Sequence, residues 1–372
     1  MKKIAFMLCA AMALTFSSCS KEDNSIFPEN IVIRNGYSLN DIYKQAAEKA
    51  KDNEISITLP PRVEIFMEES IEVPDGKTLV IAGDAKQPAI INAKGDFTFT
   101  NGFTLKNVII KTDAVQEGIA LFSMSEEPVL EANTKGSIVV EEPVVLENVQ
   151  IAGLQTALLW DGNKKYVFQN ITIDNCQVEF DINGSMKQAA INLNYGGAMN
   201  LTIQNSTMWQ KGDKNFTYFT KYNNSVVPDN AFEADDWKNV EDASWSVTYK
   251  NNTFYKLINT QWHNGGRISQ QYKKMNVDIE NNIWSECCKD ILRRIVNSKS
   301  AADWKSFVCN QNTWVKDGKF DNAANYNKTE GIDLTTEPAF VAVPEDTDEP
   351  NFKPTGSQQV QYKTGDPRWW KK

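Results

Sequence analysis

The chain of 372 residues has one histidine, six cysteines and fewer basic than acidic groups. Its 39 Lys and Arg stand against 48 Asp and Glu, a formal charge of −9 at pH 7. That balance argues against nucleic acid as a partner and against a broad grip on polyanions, leaving room for a local basic patch. The cysteines lack metal-type CxxC spacing, and no metal site or resident cofactor is read from the chain. There is no DxD cluster and no paired Asp at matching repeat positions. Asp174, Asp181 and Asp290 therefore make only a weak carboxylate set for glycoside hydrolysis or Ca²⁺. The apolar run at residues 4–16 is too short to span a membrane as a permanent helix.

What the chain does have is a repeated phrase, centred on Asn107, Asn148, Asn170, Asn205, Asn251, Asn281 and Gln311. Two residues before the centre stand Leu105, Leu146, Phe168, Ile203, Tyr249, Ile279 and Cys309. Three after it stand Ile110, Ile151, Ile173, Met208, Phe254, Trp284 and Trp314. Both columns are apolar, as inward faces of two short strands meeting at a bend would be. Asn tolerates the left-handed backbone of a tight bend, and its amide can donate to one neighbouring coil and accept from the other. The position after the centre runs Val108, Val149, Ile171, Ser206, Asn252, Asn282 and Asn312, which predicts a second amide ladder in the C-terminal half.

Successive centres lie 41, 22, 35, 46, 30 and 30 residues apart. Strand-length units at such spacing predict a β-solenoid, with the shortest interval close to a bare coil. The phrases lack the Asn-Gly or Asp-Gly hairpin turns that an antiparallel sandwich needs. The expected fold is all-β: a right-handed parallel β-helix over residues 38–330. An amphipathic helix at 38–51 (Leu39, Ile42, Tyr43, Ala46, Ala47, Ala50) starts at Ser38 and caps the open end. Residues 55–59, 63–67, 78–82 and 89–93 read as the first coils. Residues 113–143 and 211–245 read as interruptions, and 331–372 as a tail packing on the solenoid.

The N-terminus combines Met1-Lys2-Lys3, the apolar run and Phe16-Ser17-Ser18-Cys19. It resembles a bacterial lipoprotein signal cleaved before a Cys, with Phe16 where Leu is usual. Ser20-Lys21-Glu22-Asp23 resembles the export signal of Bacteroidetes surface lipoproteins. The resemblance implies a signal peptide over 1–18, lipid on Cys19, a tether over 19–37, and a location on the outer membrane facing outward. Loss of residues 1–18 removes two Lys and moves the charge to −11.

The opening helix, the strand from Glu54 to Leu59 and the phrase from Asp75 to Gly83 resemble pectate-lyase-like β-helix proteins. Glu337-Pro-Ala-Phe340 and the closing Gly365-Asp-Pro-Arg-Trp369 resemble the tail of Bacteroidetes β-helix lipoproteins of unknown function. That family's genes often lie among those for polysaccharide utilisation, which implies a glycan partner.

Aligning Phe254 with Trp284 places His263 over Arg293 and Asn264 over Arg294, with Arg267 close by. His263, Arg267, Arg293 and Arg294, with Trp262, form the candidate binding set, because guanidinium forks match carboxylate or sulfate. Lys289, Arg293 and Arg294 are the candidate bases if the chain is a lyase, since β-helix lyases abstract a proton alpha to a uronate with Lys or Arg. Those enzymes neutralise the carboxylate with Ca²⁺ or basic residues, and Asp290 would be the ligand. Trp160, Trp209, Trp237, Trp245, Trp262 and Trp304 are open to a role as platforms for sugar rings. Binding of a complex polysaccharide, acidic or neutral, along a groove is the favoured function. Cleavage on the same fold, or a structural or adhesive role without glycan, are the alternatives.

Overall fold

A computed structural model describes residues 35–371 except 51, 75, 113–117, 128–131, 133–136, 185–186, 223–245, 265–275, 289–290, 292–305, 317–318 and 321–333. The described strands form a right-handed parallel β-helix of three sheets. The first sheet holds the strands before each bend, from Glu54–Thr58 through Tyr166–Asp174 and Gly197–Gln204 to Ser306–Asn310. The second holds those after it, from Glu64–Met67 through Thr207–Gln210 to Thr313–Lys316. The third runs from Ile71–Glu72 through Ala157–Trp160, Ala189–Leu193 and Phe216–Tyr222 to Ile258–Asn264. Coils are numbered here by their first-sheet strand, so that Tyr166–Asp174 opens coil 5.

Pairing in the three sheets is parallel among the described residues, apart from Lys319–Phe320, which turns back on Thr313–Lys316. Each coil therefore stacks a residue on its equivalent in the next. Leu105, Leu146, Ile173, Ile203, Tyr249, Ile279 and Cys309 make one core column. Ile110, Ile151, Val178, Met208, Phe254, Trp284 and Trp314 make another. Like stacks on like, and Trp284 and Trp314 lie parallel with ring centres 4.4 Å apart.

One phrase of the repeat is out of register. The bend of coil 5 is made by Asn175, not by Asn170, which lies inside the strand Tyr166–Asp174. The left-handed residues between the first two sheets of coils 3 to 9 are Asn107, Asn148, Asn175, Asn205, Asn251, Asn281 and Gln311, with φ between 51° and 57°. The intervals around coil 5 become 27 and 30 residues, so the apparent 22-residue coil disappears. Asn170 misleads because it too follows an apolar-polar pair; its amide oxygen accepts from Asn200 on the outer face. The positive φ also turns the bend amides toward the corner between sheets, half-exposed, and not into the interior.

Along that corner the amides of the six Asn bends donate to the preceding coil. Asn148 reaches Asn107 at 2.9 Å, Asn175 reaches Asn148 at 3.1 Å, and Asn251 and Asn281 reach Asn205 and Asn251 at 3.1 and 3.2 Å. A second ladder lies inside, one residue on. Asn252 donates to Asn282 at 2.9 Å and Asn282 to Asn312 at 3.0 Å, while each side-chain oxygen also accepts a backbone N–H. Its three amides are fully buried. Cys176 takes the place expected for Ile171, so the column grades from Val through thiol and hydroxyl to amide.

The helix α1, Leu39–Lys49, buries Leu39, Ile42, Tyr43 and Ala46 against the first coil. Ser38 accepts the Asp41 N–H at 3.2 Å and so caps its start. At the other end of the chain, Phe340–Ala342 pairs with Asn351–Pro354, followed by α2, Ser357–Tyr362, and a 3-10 turn, Pro367–Trp370. Phe352 and Trp369 pack on Trp209 and Tyr255, with Phe340 and Val343 at the margin, and cover the second sheet there.

Asn175→Ala is expected to cost about 2 kcal/mol, an amide bond of about 1 plus a left-handed backbone cost of about 1. Asn170→Ala should stay within about 0.5 kcal/mol, as an exposed position does. Urea unfolding of the two variants compares them directly, and equal losses would contradict the revised register.

Candidate functional site

The repeat gives no sign of the third sheet. Two of its strands, Ala120–Met124 and Phe216–Tyr222, lie within the spans read as interruptions. Its C-terminal ends bring Ser123, Trp160, Asn192, Lys221 and Asn264 into one row of paired positions. Parallel neighbours lie about 4.8 Å apart, so the row presents one side chain per coil at a regular interval. Asn192, Lys221 and Asn264 are partly exposed, whereas Ser123 and Trp160 are buried.

Asp161 follows Trp160 and fixes the rim beside this row. Its buried carboxylate accepts the backbone N–H of Tyr195 at 2.6 Å, of Gly196 at 2.8 Å and of Asn163 at 3.2 Å. Burial pushes its pKa up to about 6, against the pull of those N–H donors. The turn it holds displays Tyr195, 41% exposed. Gly196 sits so close to the Tyr166 carbonyl that a Cβ would lie 2.1 Å from its oxygen, so only glycine fits. Lys221 is drawn down by burial and held up by the charge of Asp161. The result is a strip with an aromatic face, two amides and one partly desolvated ammonium.

Beneath the strip the core changes character. The column Phe122, Leu159, Ile191, Thr220, His263 is apolar in coils 3 to 5 and polar in the next two. His263 is 1% exposed, and its Nε2 is hydrogen-bonded to the Tyr249 hydroxyl at 2.9 Å. Desolvation lowers its pKa to about 3, so the imidazole is neutral at physiological pH. Trp262 is fully buried and stacks on Phe219 with centres 4.2 Å apart. Neither side chain faces a surface ligand, which corrects the expectation that both would line a binding rim. The reason is local: consecutive residues 262 and 263 are both drawn into an aromatic interior with Tyr249, Phe254 and Trp284.

Arg267, Lys289, Asp290, Arg293 and Arg294 lie outside the described residues, as does Cys19. Of the six tryptophans open to a sugar-platform role, Trp160, Trp209 and Trp262 are buried. Trp237, Trp245 and Trp304 lie outside the described residues. Asp174 is occupied by the amides of Gln204 and Asn205, each at 2.9 Å, and Asp181 by Asn183 at 2.9 Å. Among the described residues no group of three or more His, Cys, Asp or Glu could hold a metal ion, and the carboxylates of Asp161, Asp174 and Asp181 are taken by N–H donors. Among the same residues no helix is long and apolar enough to cross a membrane.

The sequence reading misses Asp161, Asn192, Tyr195 and Lys221. The available signal is the run Phe216-Thr-Tyr-Phe-Thr-Lys-Tyr222, whose β-prone residues mark a strand inside a stretch rich in Asn, Asp and Lys.

The single histidine gives a clean test of the interior. Its folded pKa lies below the unfolded value of 6.5. Its contribution to stability is therefore complete above that pH and is lost as pH falls toward about 3, at up to about 1.4 kcal/mol per pH unit. Proton NMR should show one imidazole whose shifts stay constant from about pH 8 to about pH 5. A midpoint near 6.5 would place His263 in solvent.

Residues 66–211 match the family model described as a domain of unknown function, DUF4957. No curated protein and no solved structure matches the chain. The matched region, from Phe66 in coil 1 to the end of the coil-6 strand Thr207–Gln210, contains Asp161, Asn192 and Tyr195 and stops short of Lys221.

Proposed function

We propose that this chain is a lipid-anchored surface protein that binds a polysaccharide along the third sheet of its β-helix. The observation that carries the reading is the row Asn192, Lys221, Asn264 beside the exposed ring of Tyr195. A glycan is itself a repeating chain, and a solenoid offers it equivalent contacts at each coil. Amides donate to and accept from hydroxyl groups, an aromatic face packs on the apolar face of a sugar ring, and an ammonium recognises a carboxylate or sulfate. The signal-like N-terminus and Cys19 support anchoring at the outer membrane, facing outward.

A second reading, a polysaccharide lyase on the same strip, is favoured by the lowered proton affinity of Lys221, which suits a general base. Arg267, Lys289, Arg293 and Arg294 stay in both readings as candidate partners of acidic groups.

A glycan array followed by titration with the best hit is expected to show binding that Lys221→Ala weakens roughly 10- to 100-fold, the loss of a charged hydrogen bond. An empty array would leave a structural or adhesive role. Growth of ultraviolet absorbance from an unsaturated product, lost in the same variant, would replace the binder with the lyase. Cys19→Ser should abolish metabolic labelling by a fatty acid and release the protein from the membrane fraction. Continued labelling would refute the anchor.

A further inference from the structure

Between coils 5 and 6 the corner ladder is broken. Asn205 donates to the Asp174 carboxylate at 2.9 Å, not to Asn175, and Gln204 binds the other oxygen of Asp174. The oxygen of Asn175 is thereby freed for another donor, and Arg368 supplies it. One guanidinium nitrogen of Arg368 donates to Asn175 Oδ1 at 3.2 Å, to the Cys176 carbonyl at 3.2 Å and to the Asn205 carbonyl at 3.4 Å. We infer that the segment Gly365–Trp370 is a latch: its arginine fills the missing rung and locks coils 5 to 8 into one unit.

The rest of the segment grips the same coils. Arg368 Nε pairs with Asp366 Oδ2 at 2.6 Å, and the same carboxylate oxygen accepts the Thr207 hydroxyl at 2.8 Å. Trp369 Nε1 donates to that hydroxyl's oxygen at 2.8 Å. The Asp366 N–H donates to Thr253 Oγ1 at 3.1 Å, and the Gly365 N–H to the Asn281 carbonyl at 2.8 Å. Four successive coils are thus bound by one short segment. Asp366 and Trp369 are buried, and the Arg368 side chain is only 18% exposed. Gly365 has φ +85°, and a Cβ there would lie 2.7 Å from Thr253 Oγ1, so the fit is tight at the point of entry. Asp366 and Arg368 form a buried pair in which neither charge has another partner of opposite sign in these contacts, so removing one strands the other.

A solenoid distributes its stability among neighbouring coils, so a latch on coils 5 to 8 should act there and leave coils 1 to 3 alone. Hydrogen exchange by mass spectrometry on the full chain tests this with Arg368→Met. The amides of Thr207, Thr253 and Ile283, which bond from one coil to the next, should exchange at least about tenfold faster. Those of Leu59, Gly83 and Ile90 in the first coils should keep the wild-type rate. Equal acceleration in both groups, or in neither, overturns the latch. Should Arg368→Met fail to fold, Arg368→Lys, which keeps the charge and loses the fork, carries the same comparison.

Discussion

The structure depends on one constraint: at the bend between the first two sheets of coils 3 to 9 the backbone enters the left-handed region, and in coils 3 to 8 the side chain there finds partners along the axis. Asn meets both demands, because its short amide tolerates positive φ and offers a donor and an acceptor. A branched apolar residue would satisfy neither. Six bends use Asn and the last uses Gln311, all with nearly the same φ. The corner amides donate toward the N-terminus, while Asn252 and Asn282 inside donate both ways, to a carbonyl of the preceding coil and to the amide of the next. Each bond is worth about 1 kcal/mol net, but leaving a buried amide unpaired costs more. The ladders therefore act less as glue than as a penalty on wrong register. Shifting one coil by one residue would strand amides on both sides of it.

This explains what can be read from the sequence and what cannot. Columns such as Leu105 to Cys309 and Ile110 to Trp314 are visible because parallel stacking puts like residues on like. The first coils and the capping helix follow from alternation and helical spacing in the same way. Coil 5 is ambiguous because its first-sheet strand is nine residues long, with one plausible Asn, 170, inside it and another, 175, just beyond its end. The choice between them is made by φ and by the bond from Asn175 to Asn148, neither of which has a local signature. The third sheet is hidden for a different reason. Its connections vary in length, so its strands do not fall at a fixed distance from the bend, and the loops around them dominate composition.

The site is harder still. His263 attracts attention as the sole histidine, yet its position in the column below Thr220 buries it. Trp262 looks like a sugar platform, but an aromatic interior already formed by Phe219, Phe254 and Trp284 has a place for it. Lys221 and Asn192 look ordinary because their meaning lies in cross-coil pairing. Asp161 is quieter again: its work is to accept three backbone N–H groups and so set the turn that displays Tyr195. Residues that act by position are found only once register is known.

The strip and the tail lie on different sheets but share coils. Asn192, Lys221 and Asn264 belong to coils 5, 6 and 7, and the contacts of Gly365–Trp370 fall on coils 5 to 8. A coil is three short strands, so its sheets move together more readily than successive coils move apart. The apolar column in that stretch also gives way to Thr220 and His263. The Asp366–Arg368 pair lies across those coils from the second-sheet side. The carboxy-terminal phrase and the candidate strip are thus two faces of a single requirement: a ligand row at fixed spacing demands that the coils bearing it be held in fixed stacking.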